Sequence, residues 1–245
     1  MNDGIGIVFI HGAGLNSSIW NSLKKELRVP VLAVDFPNRK SVGNANNKLS
    51  FTDYVNTITD QIKKWDQHKF ILVAHSIGAF VALKIANQFD NRVRGFIAIS
   101  SVIPKSGNSF VSSLPFPNNL IMPLVLKVFG TKPPVNQIKD GLCNDLTAEQ
   151  TQNIVNEFTP ESKALYMTKI NYDLPNVNRL YIKLTHDKSM PSSLQDKMAK
   201  NLNADKTVKI DSGHLPMIST PRQLTTILLD FINDIMPDDS TISQN

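Results

Sequence analysis

Short apolar runs alternate with helix-like segments along most of the chain. Six runs have the length and composition of strands buried on both faces: 5–10, 31–34, 70–74, 95–100, 180–184 and 207–210. The segments between them carry apolar residues three and four positions apart, the spacing of helices with one buried stripe. Strands that alternate with helices in this way predict an α/β fold: a mainly parallel, six-stranded sheet with helices on both faces.

This alternation breaks between residues 104 and 172. Two helical segments are predicted late in this stretch, because Thr147 and Gln150 have capping-box spacing and Thr159 precedes Pro160 at an expected first helical position. Before them, an apolar stretch is interrupted by prolines at 115, 117, 123, 133 and 134.

We therefore predict three parts of the chain. Residues 1–103 and 173–236 form the α/β core, residues 104–172 form a helical cap inserted over the active edge of the sheet, and the polar residues 237–245 form a flexible tail. The cap is rich in apolar residues, which either line an apolar pocket or, as we expect for most of them, form the cap's own core. They are Phe110, Leu114, Phe116, Leu120, Ile121, Met122, Leu124, Val125, Leu126 and Phe129.

Composition narrows the classes of protein. The 245 residues are 41% hydrophobic, which suits one large core. We expect a cytoplasmic protein, monomeric or homodimeric, because the sequence shows neither a signal-peptide pattern nor an apolar run long enough to span a membrane. The net charge of +5 is spread along the chain, so we expect no nucleic-acid partner. The single cysteine, Cys143, is interpreted as structural, since no basic neighbour would activate it.

Ser76 is the candidate nucleophile. It stands between a predicted strand and a predicted helix in a sequence close to G-x-S-x-G, with Ala74 in place of the first glycine and Gly78 as the second. Small residues at these two positions let strand and helix approach closely while the serine adopts a strained turn. The alternative is a serine that only caps the following helix.

Among five histidines, His214 is the candidate general base. It follows the last predicted strand, so its loop reaches the same edge of the sheet as the serine. We expect His11 to shape a glycine turn, His68 and His186 to be exposed, and His75 to point to the opposite side of the turn from the nucleophile. A structural loop histidine is the alternative for His214.

Asp187 is selected as the third member by elimination. It follows the predicted strand at 180–184, whereas Asp196 lies within a helix, Asp205 precedes a strand, and Asp211 is too close to the histidine to turn back onto its ring. An exposed loop aspartate is the alternative. The resulting chain order of serine, aspartate and histidine is the order found where a nucleophilic serine lies at a strand-to-helix turn.

The backbone N–H groups of Ala13 and Ile77 are the candidate oxyanion donors. Gly12 and Gly14 are expected to keep the first of these turns open, although a simple glycine turn is the alternative. The turn does not match G-x-G-x-x-G, so no nicotinamide cofactor is expected. With one cysteine and no histidine paired at i, i+4 with a carboxylate, we expect neither a metal site nor any other cofactor.

Taken together, these motifs resemble the α/β-hydrolase superfamily over nearly the whole chain, at 11–14, 74–78, Asp187 and 213–214. The first strand directly precedes His11, which suggests that the leading β-hairpin is missing, as in the methyl-ester esterase and hydroxynitrile lyase-like branch. The stretches 184–188 and 213–217 are also similar to that branch. Gly12 and Leu215 stand where such lyases carry threonine and lysine, so the resemblance favours the esterases.

The resemblance implies a carboxylesterase-like hydrolase that cleaves a small ester through an acyl-enzyme on Ser76. A thioesterase, lactonase, amidase or cofactor-free perhydrolase would use the same three residues. A binding protein for small molecules on the same scaffold is the alternative from another class, because a fold does not fix a function.

Overall fold

The computed structural model describes residues 4–39 and 45–236. Its central feature is one sheet of six strands in the order β2-β1-β3-β4-β5-β6, in which every neighbouring pair is parallel. The strands are β1 (Gly6–Ile10), β2 (Val31–Val34), β3 (Phe70–His75), β4 (Val93–Ile99), β5 (Asn178–Leu184) and β6 (Lys206–Ile210). The predicted α/β fold with a six-stranded sheet is thereby confirmed.

Helices cover both faces of this sheet. They are α1 (Asn21–Glu26), α2 (Phe51–Lys63), α3 (Gly78–Ala86), α4 (Phe110–Ser113), α5 (Asn118–Phe129), α6 (Val135–Leu142), α7 (Ala148–Glu157), α8 (Lys163–Met167), α9 (Ser192–Asn201), α10 (Pro216–Ser219) and α11 (Pro221–Ile235). Ser50 and Thr147 cap α2 and α7 with the capping-box geometry. A short 3-10 turn at Ser17–Trp20 leads directly into α1.

The side chains of the central strands alternate between two cores. Val8 of β1 and Leu72 of β3 point to the face covered by α2, α3 and α9, whereas Phe9 and Val73 point to the face covered by α1 and α11. All four side chains are fully buried. A parallel sheet covered on both faces explains why its strands are continuous apolar runs rather than alternating ones.

Within residues 104–172, the structure adds helices that the sequence did not indicate, and one prediction is wrong. The proline-interrupted stretch is helical, because Pro117 and Pro134 immediately precede α5 and α6, where a missing N–H costs nothing, and only Pro123 lies within a helix. Thr159 does not begin a helix. The next helix, α8, starts at Lys163 and is capped by Ser162, whose side chain accepts a hydrogen bond from the backbone N–H of Leu165.

The apolar residues between positions 110 and 129 also differ from expectation. Phe110 lines a cavity and Leu126 is buried, but most of the others neither line a pocket nor form a core. The exposed ones are Phe116, Leu120, Ile121, Leu124, Val125 and Phe129. The boundaries predicted for the cap and the core stay a prediction, and the predicted tail at 237–245 lies outside the described residues.

The strand order places the candidate site. The chain runs from β1 to one edge of the sheet and then crosses back to β3 beside β1, so the direction of strand addition reverses between these two strands. The loops that follow β1 and β3 therefore leave the carboxyl edge side by side, at the crevice where α/β proteins bind ligands. None of the helices in the described residues is long and apolar enough to cross a membrane.

Candidate active site

Ser76 occupies a strained turn between β3 and α3. Its φ is 52°, in the left-handed region that non-glycine residues rarely adopt, and its N–H donates to the carbonyl of Ile99 on the neighbouring strand at 3.1 Å. The helix that follows starts against the loop after β1, since a Cβ on Gly78 would lie 2.4 Å from the carbonyl oxygen of His11. Because Gly78 has no side chain, α3 can begin close to the loop after β1, and Ser76 lies at the crevice.

The backbone N–H groups of Ala13 and Ile77 lie on the two loops that flank this serine. In the described part of the chain, neither N–H donates to another protein group. The turn around Ala13 is packed tightly: a Cβ on Gly12 would lie 3.0 Å from that of Ser76, and Gly14 has a φ of 77° with its α-carbon against the Phe158 ring. Two unpaired N–H groups beside one hydroxyl can stabilise negative charge on a bound oxygen.

His214 and Asp187 form a buried pair at the same edge. Nδ1 of His214 donates to Oδ2 of Asp187 at 2.6 Å, and both side chains are almost fully buried. In the neutral imidazole, this bond selects the tautomer with its proton on Nδ1, so that Nε2 is the hydrogen-bond acceptor. His214 and Ser76 line one cavity, although no hydrogen bond joins them in the described structure; such contacts often tighten only when substrate is bound.

The Asp187 carboxylate is held by three further donors. The hydroxyl of Ser100 donates to Oδ2 at 2.6 Å, and the N–H groups of Ser189 and Met190 donate to Oδ1 at 2.8 and 2.9 Å. Burial disfavours the ionised carboxylate, but His214 and these hydrogen bonds outweigh it and lower the pKa of Asp187. The group is therefore a fixed anion beside the imidazole.

The rival aspartates have other partners. Asp211 pairs with His186 at 2.7 Å on the exposed surface, Asp196 pairs with Lys183, and Asp205 lies 3.5 Å from a guanidinium nitrogen of Arg179. The structure therefore brings His214 together with the aspartate that elimination selected.

The remaining buried histidines are neutral. His11 donates from Nδ1 to the carbonyl of Gly12 and accepts at Nε2 from the N–H of Phe36, which fixes its tautomer, and burial lowers its pKa well below the usual value. The expectation for His75 is wrong. Its ring does not point away from the site but packs on the ring of His214 with centroids 4.6 Å apart, lines the same cavity, and donates from Nε2 to the backbone carbonyl of His214.

A cavity of about 240 Å³ lies over these groups. Residues 104–172 supply one wall, including Phe110, Ile138, Phe158 and Tyr166. Among the described residues, its lining contains no lysine, arginine, aspartate or glutamate. The space therefore suits a small uncharged molecule, since a charged one would lose its hydration without gaining an opposite charge.

The structure gives no sign of a metal or thiol site in the described residues. They contain no cluster of three or more histidine, cysteine, aspartate or glutamate side chains that could bind a metal. Cys143 is buried, and burial raises the pKa of its thiol to about 11, so the thiol is protonated near neutral pH.

Two carboxylates from residues 104–172 hold the loops of the site. Oε1 of Glu161 accepts the N–H of Gly14 at 2.9 Å, and Oδ2 of Asp145 accepts the N–H of Gly213, beside His214, at 2.6 Å. Glu161 is fully buried and forms an ion pair with Arg39. Glu161, Asp145 and Ser100 were not expected at the site; of the three, only Ser100 has a signal in the sequence, because it directly follows β4 at the carboxyl edge.

Comparison with known proteins identifies the family. The model of the alpha/beta hydrolase family matches residues 7–226, nearly the whole chain. The chain belongs to the alpha/beta hydrolase family. The predicted family is thereby confirmed. Among curated relatives of this α/β-hydrolase, an uncharacterized protein of Mycobacterium tuberculosis is 29% identical over 72% of the chain and 47% of its own length. The chain thus spans about half the length of that relative.

Other relatives match over most of both chains. The pimeloyl-[acyl-carrier protein] methyl ester esterase of Wigglesworthia glossinidia brevipalpis is 28% identical over 93% of this hydrolase and 93% of its own length. Among solved structures, an extracellular α/β-hydrolase from a Paenibacillus species has a TM-score of 0.79 at 20% identity, covering 96% of this chain and 100% of its own. The methylesterase MES16 from Arabidopsis has a TM-score of 0.76 at 20% identity, covering 94% and 99%. The predicted similarity to the methylesterase-like branch is confirmed.

Proposed function

We propose that this α/β-hydrolase is a serine esterase that cleaves a small, uncharged carboxylic ester. One observation carries the proposal: Ser76, held at a φ of 52°, shares a cavity with the buried His214–Asp187 pair. Strain at a turn persists only where surrounding structure enforces it, and it is typical of nucleophiles. The Wigglesworthia relative, a methyl ester esterase by name, supports an ester as substrate.

In the proposed mechanism, the Ser76 oxygen attacks the ester carbonyl while its proton moves to Nε2 of His214. The N–H groups of Ala13 and Ile77 bind the oxyanion of the tetrahedral intermediate. Asp187 stabilises the imidazolium and keeps its orientation. The C–O bond to the alcohol then breaks, and His214 returns the proton to the departing alkoxide.

The second half repeats these roles with water. His214 removes a proton from a water molecule, whose oxygen attacks the acyl carbonyl, and the acid is released as Ser76 regains its proton. This chemistry uses only groups of the chain. The cavity of about 240 Å³ is smaller than the range of ~300–1,000 Å³ typical of drug-sized ligands, so we propose a short acyl and a short alcohol group. A cytoplasmic location and a monomeric or dimeric state stay predictions.

The first test combines active-site labelling with turnover. We expect the wild-type protein to react with a fluorophosphonate probe and to hydrolyse p-nitrophenyl acetate, and Ser76→Ala to do neither. Ser189→Ala is the matched control, because Ser189 lines the same cavity but its hydroxyl donates to the carbonyl of Gly141. It should keep both activities.

The outcomes separate this proposal from its alternatives. If folded wild-type protein shows neither labelling nor turnover, the proposed hydrolase activity is refuted, and a small-molecule-binding protein on the same scaffold is favoured. If the probe labels the protein but a matched thioester, lactone or anilide is hydrolysed faster than the ester, Ser76 stays the proposed nucleophile and the proposed substrate class changes. Label that persists in Ser76→Ala would refute Ser76 as nucleophile.

A further inference from the structure

The outward face of α5 is apolar. Leu120, Leu124 and Val128 follow one another at four-residue spacing, the separation that places side chains on one helix face, and they are 67%, 62% and 63% exposed. Ile121 and Phe129 lie beside this stripe and are 50% and 79% exposed. Monomeric proteins rarely leave so many large apolar side chains together in water. We call these five residues the α5 face.

The opposite side of α5 is packed as in an ordinary surface helix. Leu126 is buried there, and the helix contacts α4 and α8. Its orientation is therefore set by the protein, and the apolar stripe is turned outwards. The helix is also close to the active site in sequence, since Thr131 and Pro133, just beyond its end, line the active-site cavity.

The surroundings of the α5 face are basic. Residues 104–139 contain four lysines and no aspartate or glutamate. Three lysines, Lys127, Lys132 and Lys163, line a recess of about 500 Å³ beside Val128 and Phe129 at the end of the helix. No acidic residue lines this recess in the described part of the chain. An apolar stripe bordered by lysines matches the two layers of an anionic membrane interface, acyl chains below and phosphates above.

We propose that the α5 face docks onto an anionic phospholipid surface. The apolar stripe enters the boundary between headgroups and acyl chains, and Lys127, Lys132 and Lys163 bind lipid phosphates. A second copy of the chain is a poorer occupant, because a twofold contact through this face would bring both sets of lysines together. Docking here would place Thr131, which lines both the recess and the active-site cavity, close to the membrane.

The test is flotation of the full chain with vesicles. Binding to phosphatidylcholine vesicles that contain about 30 mol % phosphatidylglycerol should exceed binding to pure phosphatidylcholine at least ~10-fold, and about 0.5 M salt should weaken it. Replacing Leu120 and Leu124 by glutamine should weaken binding roughly 10-fold or more. Lys127→Glu with Lys132→Glu should weaken it by at least about 5-fold for each lysine.

Two control variants make comparable changes in hydrophobicity and in charge at sites away from the α5 face. Met236→Gln removes an exposed apolar side chain elsewhere, and Lys24→Glu with Lys25→Glu makes the same charge change on α1; neither should alter binding. Unchanged urea-unfolding curves of all variants would show that they fold. The lipid comparison with wild-type protein tests the proposal even if a variant does not fold.

Three results would overturn the proposal. The first is failure of the wild-type protein to bind anionic vesicles. The second is equal binding by both vesicle types, which would remove the role of the lysines. The third is a concentration-dependent dimer in sedimentation that Leu120→Gln with Leu124→Gln dissociates, which would make a second copy the occupant. None of these outcomes depends on the proposed esterase activity.

Discussion

Glu161 and Arg39 form a buried ion pair outside the proposed catalytic residues. The side chains are 0% and 4% exposed, and Glu161 also accepts the N–H of Gly14 in the turn that carries a proposed oxyanion donor. Glu161→Gln keeps the size of the side chain and an acceptor for Gly14, but it leaves the guanidinium buried without its counter-charge. The substitution therefore isolates the charge of the pair.

The magnitude follows from that burial. Removing one partner of a buried ion pair costs about 3–5 kcal/mol, because the remaining charge keeps its desolvation penalty and loses its compensation. Against a total stability of ~5–15 kcal/mol, this is a large fraction. For a chain of this length we expect a fall in Tm of roughly 10 °C. Arg39→Met should cost less, because burial already raises the pKa of Glu161 and a proton can neutralise it.

The assay is urea unfolding followed by circular dichroism, arranged as a double-mutant cycle. Glu161→Gln combined with Arg39→Met should be more stable than Glu161→Gln alone, since no unpaired charge is left. Asp234→Asn is the control, because its partner Lys206 and Asp234 itself are 59% and 57% exposed and such pairs contribute little. Glu161→Gln that unfolds at the wild-type urea concentration would refute the reasoning.

Three further predictions follow from the site. Asp187→Asn should fold but lose about 10³–10⁴ in kcat, because an amide N–H facing Nδ1 of His214 forces the ring into the tautomer that cannot accept the serine proton; near-normal hydrolysis of p-nitrophenyl acetate would reassign the acid. Asp145→Ala removes the acceptor of the Gly213 N–H and should lower kcat roughly 10-fold, because His214 is then misplaced. Asp145→Asn should recover part of this loss. Stopped assays at saturating substrate measure kcat for both variants. Burial lowers the pKa of His75 to about 3, so the unfolded chain takes up a proton below the ordinary value of 6.5 while the folded chain does not. Stability should therefore fall by about 2 kcal/mol from this residue between about pH 7 and pH 5, and the slope of unfolding free energy with pH should be smaller in His75→Gln.

Local rules predicted much of this molecule. The strand Val31–Val34 and the cap of α7 agree with the sequence, because periodicity and capping depend on residues within a few positions of each other. Ser76 was also predictable, since its turn lies between one strand and one helix. The same local rules did not reveal α5 and α6, because a proline that breaks a helix and one that precedes a helix look alike in the sequence.

The choice of partners was not local. Asp187 could only be selected by excluding its rivals, and its bond to His214 joins residues 27 positions apart. Glu161 lies 147 positions from Gly14, and Asp145 lies 68 positions from Gly213, so no spacing in the sequence links them. The contacts of Glu161 and Asp145 exist only because residues 104–172 fold back over the carboxyl edge of the sheet, whereas Asp187 meets His214 because their loops follow the neighbouring strands β5 and β6.

By itself, then, the sequence determined the α/β fold, the edge at which the site lies, and the side chains that could do the chemistry. Apolar periodicity predicts which segments form buried strands and helices. The loops that follow parallel strands all lie at the carboxyl edge of the sheet, so the position of the site could also be predicted. Tertiary structure alone decided that His75 packs on the ring of His214, which carboxylates hold the two loops, and that the apolar side chains of α5 face outwards. The physical reason is that the hydrophobic effect favours burial of apolar side chains but is not directional and selects no particular partner. Hydrogen bonds and ion pairs depend on distances that only the folded chain sets.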